Sequence, residues 1–196
     1  MNARISDRGY SITELLLVVA IIAVISAIAV PTFSDVHVRR LQAATSEVVA
    51  ALRFARHEAI RTGIPHGVRK LNGQNSISVF RMDMDQNPRV EIHDVLHPVE
   101  FGQLYQVDLE TYRRTLSTTI VAYFKIYADA VTHEAISFNS RGEPIDGVSG
   151  KPLWLTQGGF LLNNGDRGTV VSLSRLAGRV ASGEIGEVIS DPTAVF

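Results

Sequence analysis

The chain of 196 residues contains no cysteine and only one tryptophan. The missing cysteines exclude disulfide bonds and thiolate metal sites, and they leave the redox state of the compartment open. A charge excess is missing too, since 19 lysine and arginine residues balance 20 aspartate and glutamate residues. The net charge therefore predicts no overall attraction to nucleic acid or to an anionic membrane, and the length suits one domain with an appendage.

Charge is absent altogether from one stretch near the N-terminus. Residues 15–30 are apolar except for Ser26, and the basic residues Arg4 and Arg8 precede them. As a helix, residues 10–30 extend roughly 31 Å at about 1.5 Å per residue, close to the hydrocarbon thickness of about 30 Å. Because basic residues stay on the cytoplasmic side, the sequence predicts one membrane crossing, with the chain after Val30 on the far side of the membrane.

A single carboxylate, Glu14, lies at the start of this apolar run. An acid in a spanning segment costs about 2.5–3.5 kcal/mol near the centre and less near an end, so it usually has a partner. Two interpretations leave Glu14 without a partner. One is a secretory signal cleaved at Ala27-Ile28-Ala29, which would release a soluble β-domain, and the other is an uncleaved anchor. In a third interpretation the carboxylate reaches the lipid headgroups unaided.

The sequence Arg-Gly-Tyr-Ser-Ile-Thr-Glu at residues 8–14, followed by the apolar run and Pro31, resembles the class III leader of type IV pilins and type II secretion pseudopilins. In that family a prepilin peptidase cuts after the glycine and methylates the new N-terminus. The resemblance implies cleavage after Gly9, N-methylation of Tyr10, and a role in assembly for Glu14 and Pro31. The sequence departs from the family where Tyr10 replaces the usual Phe and Ser-Ile-Thr replaces the usual Thr-Leu-Ile.

The resemblance also implies a partner for Glu14. Cleavage creates an ammonium at Tyr10, and in a fibre the carboxylate of an incoming subunit can neutralise its own or a neighbour's ammonium. Such a desolvated pair attracts strongly only in the right geometry, so it favours the correct axial register between subunits. The implied partners are other pilins or pseudopilins, the prepilin peptidase and the inner-membrane assembly platform.

Beyond Pro31 the sequence becomes amphipathic. Apolar residues recur at helical spacings of three and four, which predicts that the helix continues and packs one face on a domain: Val36, Leu41, Ala44, Val48, Leu52, Ala55 and Ala59. Gly63 and Pro65 predict its end, and Pro31 predicts a kink. The predicted organisation is a leader at residues 1–9, a transmembrane part at 10–30, an amphipathic periplasmic part at 31–63 and a β-rich periplasmic domain at 64–196.

From His66 onward, short segments rich in β-branched and aromatic residues alternate with turn sequences, which predicts a mostly antiparallel β-domain and an α+β fold. The predicted strands are Gly67–Leu71, Ile77–Met82, Ile120–Tyr127, Ala135–Phe138, Phe160–Leu162, Thr169–Ser174 and a stretch around Val180. The predicted turns are Asn72-Gly73, Arg141-Gly142 and Asn164-Gly165. The Asp83–Thr119 interval predicts an irregular insertion with one short strand near Val90.

A second resemblance lies in the segment Leu52–Val68, where Ala55, Arg56, Glu58, Ala59 and Ile60 match the helix-to-strand sequence of the GspH/FimT group of minor pilins and pseudopilins. The segments Ile136–Pro144 and Val170–Val180 resemble later elements of that group, and Asp83–Thr119 is not covered. The resemblance implies a pilin-like fold and a minor pilin or pseudopilin of a type IV pilus, its tip, or a type II secretion pseudopilus.

No local sequence matches the enzymatic or metal-binding motifs that it partly resembles. His57-Glu58 lacks the second histidine of a zinc helix, because Arg61 stands in its place. The calcium-loop pattern at Asp83 fails because Pro88 occupies the position that needs glycine. Four glycines lack the strand and helix context of a phosphate loop and are interpreted as turn residues: Gly158, Gly159, Gly165 and Gly168. The sequence therefore predicts no enzyme, no catalytic residue, no metal and no cofactor.

A nucleic-acid contact is the remaining alternative. Some FimT-type proteins are thought to bind DNA through a terminal Gly-Arg-x-Arg element, and here Ala181 replaces the second arginine of Gly178-Arg179-Val180-Ala181. Arg167, Arg175 and Arg179 are the candidate contacts to phosphates. The acidic Glu184 and Glu187 lie nearby in the sequence, so a solvated face is the default interpretation and DNA uptake the alternative.

Overall fold

A computed structural model describes residues 11–127, 129, 131–146 and 153–196, without the side chains of residues 27–35. The chain divides into an N-terminal unit that ends at Val36 and a C-terminal unit that begins at His37. The single long helix, α1 (Ile12–Thr62), contributes residues to both units. Within the described residues, no helix combines the length and the apolar character that a membrane crossing requires.

In the N-terminal unit, Ser11 begins α1 and apolar side chains cover its surface. The Ser11 carbonyl accepts the backbone N–H groups of Glu14 at 3.0 Å and Leu15 at 3.1 Å. Ser26, the polar residue of the apolar run, donates its hydroxyl to the carbonyl of Ile22 at 2.8 Å, four residues earlier. The helix continues through Pro31. The kink expected there stays a prediction.

In the C-terminal unit, α1 buries one face and ends as the sequence predicts. Of the seven predicted apolar positions, the six from Leu41 to Ala59 are fully buried, whereas Val36, in the N-terminal unit, is 37% exposed. The N–H of Gly63 donates to the carbonyl of Ala59 at 3.0 Å, and Gly63 has a φ of +74°. Glycine adopts this left-handed conformation without the steric cost of a Cβ, which explains where the helix stops.

Twelve strands follow α1, and every strand pair among the described residues is antiparallel. They are β1 (His66–Lys70), β2 (Ser76–Asp83), β3 (Val90–Ile92), β4 (Gln106–Asp108), β5 (Thr119–Ile126), β6 (Thr132–His133), β7 (Ala135–Phe138), β8 (Pro144–Asp146), β9 (Leu153–Asn164), β10 (Arg167–Leu173), β11 (Val180–Ser182) and β12 (Gly186–Glu187). A short 3-10 helix, Pro192–Ala194, precedes the C-terminus.

The sheet runs in the order β11-β10-β9-β8-β7-β1-β2-β3, while β4 also pairs with β2, β12 with β10, and β5 with both β9 and β6. A two-residue turn at Gly165-Asp166 joins β9 to β10, because Asn164 faces Arg167 across the ladder. Gly165 has a φ of +60°, as tight hairpin turns require. The antiparallel β-domain and the α+β class are thus confirmed.

The core lies between the buried face of α1 and the inward side chains of the strands. Leu52 and its helical neighbours belong to one cluster with Phe124, Phe138 and Phe160. The rings of Phe124 and Phe160 meet edge to face with centroids 5.1 Å apart. Burying each such aromatic or aliphatic side chain contributes about 1.5–3 kcal/mol relative to exposure. The second half of the helix therefore packs on the β-domain, as its apolar spacing predicts.

Two sequence interpretations need correction. The Asp83–Thr119 interval contains the predicted strand β3, but also β4, and its Tyr105 and Leu109 are buried in the core. Gly158 and Gly159 are not turn residues, since both lie within β9. A Cβ at Gly158 would lie 2.3 Å from the Tyr123 carbonyl oxygen, so the glycine permits close approach of neighbouring backbone. Gly168 likewise lies within β10.

Candidate functional site

Glu14 lies in the first turn of α1 with its side chain exposed. Together with Ser11 it forms the Ser-x-x-Glu pattern of a capping box. The box itself does not form, but Ser11 caps the helix, because its Oγ accepts the backbone N–H of Thr13 at 3.3 Å. Among the described residues, the Glu14 carboxylate has no hydrogen bond or ion pair. It therefore stands as an unpaired acid at the end of an apolar surface.

That apolar surface consists of exposed leucine, isoleucine and valine side chains along the N-terminal unit: Ile12, Leu15, Leu16, Leu17, Val18, Val19, Ile21, Ile22, Val24 and Ile25. Isolated exposed apolar residues are ordinary, but a continuous exposed surface of this kind marks an interaction site for protein or lipid. Gly9 and Tyr10, the predicted cleavage and methylation sites, lie outside the described residues, as do the side chains of Pro31 and its neighbours.

A second surface, here called the basic pocket, lies at the C-terminal end of α1. It has a volume of about 390 Å³ and is lined by Arg53, Arg56, His57, Ile60 and the Gly178–Val180 segment, which includes Arg179. Arg56 donates its Nε to the Gly142 carbonyl at 3.0 Å. Arg53 and Arg179 are exposed and form no ion pair among the described residues. The pocket therefore presents unneutralised cationic groups.

Two glycines allow the turns around this pocket to meet. Gly142 and Gly178 have φ values of +75° and +58°. A Cβ on Gly178 would lie 2.3 Å from the Gly142 carbonyl oxygen, and a Cβ on Gly142 would lie 2.8 Å from Cδ1 of Ile60. The turn after β7 and the turn after β10 thus approach each other and the helix closely, and the backbone contact leaves no room for a side chain at Gly178.

The three arginines predicted to form a patch are not brought together. Arg179 lines the basic pocket, whereas Arg175 lines a different groove beside Trp154 and Leu176. Arg167 begins β10 at the opposite end of that strand, 3.8 Å from the carboxylate of Asp166. Their role in binding DNA stays a prediction. The neighbours of Arg179 are instead the helix arginines Arg53 and Arg56.

Several carboxylates outside these two surfaces have a lowered pKa, and the causes are nearby ion pairs and hydrogen bonds in turns. The Arg61 guanidinium lowers the pKa of Glu58, with an Nη2 to Oε2 distance of 2.6 Å. The Arg81 guanidinium likewise lowers the pKa of Asp94, at 2.8 Å. The carboxylate of Asp83 accepts the N–H of Asp85 at 3.0 Å, as in an ordinary polar turn. In the described part of the chain, no three histidine or acidic residues gather as metal ligands.

Tyr105 is the described residue whose pKa departs most from its ordinary value. Burial raises the pKa of Tyr105 to about 12, and the negative charge of Glu47 acts in the same direction. Its ring packs against Phe54 with centroids 5.1 Å apart and against His97 at 4.4 Å. The phenol is neutral throughout the physiological range, so its role is packing between α1 and the segment that precedes β4.

The comparison with family models confirms the GspH family that the second resemblance indicates. The model described as "Type II transport protein GspH" matches residues 44–177, which is more than half of the chain. The chain belongs to the GspH family. The matched region begins at Ala44, includes the C-terminal part of α1 and runs through the Asp83–Thr119 interval. The family consists of structural pilin and pseudopilin subunits, so this member is not an enzyme.

Solved structures are also similar to the chain. The crystal structure of the type IV minor pilin FimU of Pseudomonas aeruginosa has 19% identity and a TM-score of 0.42, with 74% of this chain and 93% of that chain covered. The minor pseudopilin EpsH of the type 2 secretion system of Vibrio cholerae has 14% identity and a TM-score of 0.46, covering 73% and 95%. A comparison with curated proteins finds no match. The family assignment rests on the family model.

Sequence analysis missed the helix side of the basic pocket. Arg53, Arg56 and His57 occur at spacings of three and four residues, which place them on one side of a helix. This signal identifies a basic stripe, but it does not indicate that the stripe adjoins Arg179. That proximity depends on the meeting of Gly142 and Gly178, a contact between residues far apart in the sequence.

Proposed function

We propose that this protein is a minor pilin or pseudopilin subunit that prepilin peptidase cleaves after Gly9 and methylates at Tyr10. The subunit then assembles through its N-terminal helix into a type IV pilus, the tip of such a pilus, or a type II secretion pseudopilus. The observation that carries this proposal is the exposed apolar surface of α1 from Ile12 to Ile25 with Glu14 at its start, an acid that has no partner among the described residues.

Before assembly, residues 10–30 anchor the subunit in the inner membrane with the β-domain in the periplasm. The sequence supports this, because residues 15–30 carry no charge and residues 10–30 are long enough, as a helix, to span the hydrocarbon thickness. Ser26 is compatible with lipid, since its hydroxyl already bonds to the Ile22 carbonyl. Tyr10 and the side chains of residues 27–30 fall outside the described part, so the full span is argued from sequence.

During assembly, the Glu14 carboxylate pairs with the ammonium that cleavage creates at Tyr10, on its own or on a neighbouring subunit. Glu14 lies four residues after Tyr10 in the sequence, which is about one turn of a helix. The carboxylate and the new ammonium are therefore at similar depths in the membrane. A carboxylate among exposed apolar side chains gains most from a cation at the same level. The ion pair therefore stabilises a subunit only when its helix enters the fibre in the correct axial register. The subunit's partners in this step are other pilins and the assembly platform.

Mass spectrometry of the protein purified from membranes tests the processing step. We expect a mature chain that begins with N-methylated Tyr10, and we expect Gly9→Ala to retain the leader. A matched variant, Asn2→Ala, alters the leader away from the cleavage site and should be processed normally. A mature chain that begins at Val30 would establish signal-peptidase cleavage and overturn the proposal. The genes beside its own would distinguish a pilus from a secretion system.

A second candidate function is DNA binding, which the basic pocket favours. Arg53 and Arg179 approach from the helix and from the β10–β11 turn, and two such cations can contact neighbouring phosphates. Replacing both with Gln should lower the slope of log affinity against log salt by about 0.9 for each phosphate that the variant no longer neutralises. The exposed Arg113→Gln is the matched control. An unchanged slope would remove this candidate.

A further inference from the structure

The segment between β3 and β4 presents two fully accessible apolar side chains. Phe101 is the most exposed large hydrophobic residue among those described, and Val99 beside it is 83% exposed. We call this segment, residues 96–104, the 96–104 hairpin. Exposed aromatic residues of this kind mark contact sites, because a soluble surface gains nothing from presenting a whole phenyl ring to water.

The 96–104 hairpin is held in a defined conformation. Leu96 and Leu104 form an antiparallel bridge, and the N–H of His97 donates to the Gln103 carbonyl at 2.8 Å. Nδ1 of His97 accepts the N–H groups of Val99 at 3.2 Å and Glu100 at 2.9 Å. The hairpin therefore holds the backbone that carries Phe101 in place before any partner arrives, which reduces the entropic cost of binding.

A groove of complementary character lies elsewhere on the same unit. It has a volume of about 520 Å³, and we call it the aromatic groove. Its lining residues are mostly apolar: Tyr127, Glu143, Trp154, Leu155, Thr156, Arg175 and Leu176. The N–H of Tyr127, the residue after β5, donates to the carbonyl of Trp154 in β9 at 2.8 Å, which holds the two aromatic residues close together. The groove is large enough for a phenyl ring.

The charges beside the two surfaces are opposite. Glu100 adjoins Phe101 on the hairpin, and Arg175 adjoins Leu176 in the groove. Among the described residues, neither charged side chain has an ion-pair partner. The other acid of the groove, Glu143, is already engaged, since it accepts Nδ2 of Asn139 at 2.6 Å and lies 2.8 Å from Nη2 of Arg141.

We propose that the 96–104 hairpin of one subunit inserts Phe101 into the aromatic groove of a second copy of this chain, with Glu100 facing Arg175. Phe101 and Leu176 are both exposed within one chain, so the contact joins two molecules. The contact is heterologous, which means that each copy has one hairpin and one groove available and can bind a neighbour at each. This inference rests on the proposed function, because head-to-tail contacts suit subunits of a fibre.

Disulfide crosslinking tests the contact directly, because the chain has no cysteine of its own. The full chain carrying Val99→Cys on the hairpin and Thr156→Cys in the groove lining, which keeps Phe101 and Leu176, is expressed in membranes, oxidised, and examined on non-reducing gels. We expect dimers and longer ladders, because each copy has both partners. Val99→Cys combined with Val188→Cys, at an exposed position outside the groove, is the matched control and should give no ladder.

Charge reversal adds a readout that collisions between exposed cysteines would not show. Glu100→Arg in the crosslinking variant should reduce the ladder at least threefold, and adding Arg175→Glu should restore it. A correctly processed chain without a crosslink between positions 99 and 156 would overturn this inference alone. If position 99 crosslinks to another protein and not to position 156 of a second copy, the second copy is not the occupant of the groove. Failure of Tyr10 methylation would instead overturn the proposed function, whatever the crosslinks.

Discussion

Nδ1 of His37, the first residue of the C-terminal unit, lies 2.6 Å from Oδ1 of Asn164 at the end of β9. Because an amide oxygen only accepts, the histidine nitrogen carries the hydrogen. The Asn164 amide nitrogen in turn donates to the Leu116 carbonyl and to Oγ1 of Thr118, each at 2.9 Å. One asparagine, 1% exposed, thus joins the helix, the segment before β5 and the β9–β10 hairpin.

Asn164→Ala should lower the free energy of unfolding by about 2–3 kcal/mol, because it leaves buried groups of several elements without partners. Urea titration of the full chain in detergent measures this, with the single tryptophan, Trp154, as the fluorescent probe. Asn72→Ala changes an exposed turn residue and should shift the unfolding free energy by less than about 0.5 kcal/mol. Equal unfolding midpoints for the two variants would show that Asn164 does not join these elements.

Stability should fall in acid partly because of Asp108. The Thr111 hydroxyl and the N–H groups of Glu110 and Thr111 lower the pKa of Asp108 below its ordinary value of 3.8. A carboxylate with a lowered folded-state pKa contributes stability that is present above pH 3.8 and is lost as pH falls through the folded-state value. Unfolding measured from pH 6 to pH 2 should show this loss.

Asp108→Asn provides the control for that pH dependence, because the amide oxygen can still accept the N–H groups but does not titrate. The variant should lose less stability than the wild type between pH 4 and pH 2. The difference is partial, since Arg81 also lowers the pKa of Asp94 and this pair weakens in the same range. Parallel curves for variant and wild type would contradict the role of Asp108.

Glu14→Val should leave insertion and cleavage intact but reduce incorporation into fibres. Removing the charge favours the membrane by up to about 2.5 kcal/mol if the site is deep, so insertion should survive. Assembly should fail, because the Tyr10 ammonium then lacks its partner. Sheared fibre fractions from cells with equal expression measure this, and Glu14→Asp should retain part of the incorporation. Equal incorporation of Glu14→Val would show that Glu14 is a passive acid.

A fragment of residues 32–196 should be soluble and folded. The buried face of α1 from Leu41 to Ala59 remains in this fragment, together with every described strand. Circular dichroism should show mixed helix and strand signals with cooperative melting. A longer fragment that begins at Ser11 retains the exposed apolar surface and should require detergent. An unfolded spectrum for residues 32–196 would contradict the predicted division between anchor and domain.

Sequence alone predicts those elements whose side chains repeat with a regular period. The buried face of α1 from Leu41 to Ala59 and its end at Gly63 follow from helical spacing and from the conformational freedom of glycine. Strands β2 and β5 follow from runs of β-branched and aromatic residues. Each of these signals lies within a short stretch of the chain, so it can be recognised without knowing which distant residues pack against that stretch.

Other features depend on contacts that no local pattern encodes. Strand β4 has three residues, too few for an alternating pattern, and it exists because β2 provides an edge. Gly158 and Gly159 resemble a turn in sequence, yet they lie inside β9, where neighbouring backbone leaves no room for a Cβ. The basic pocket combines helix residues with Arg179, across more than 120 positions of sequence. Only the folded sheet brings them together.

The close approach of Gly142 and Gly178 constrains the two turns unequally. The atom that would obstruct a side chain at Gly178 is the backbone oxygen of Gly142, which no substitution removes. A side chain at Gly142 would instead meet Cδ1 of Ile60 and Nε of Arg56, which belong to long side chains that can move or be replaced. Over evolutionary time, Gly178 should therefore persist more strictly than Gly142, whose remaining constraint is its φ of +75°.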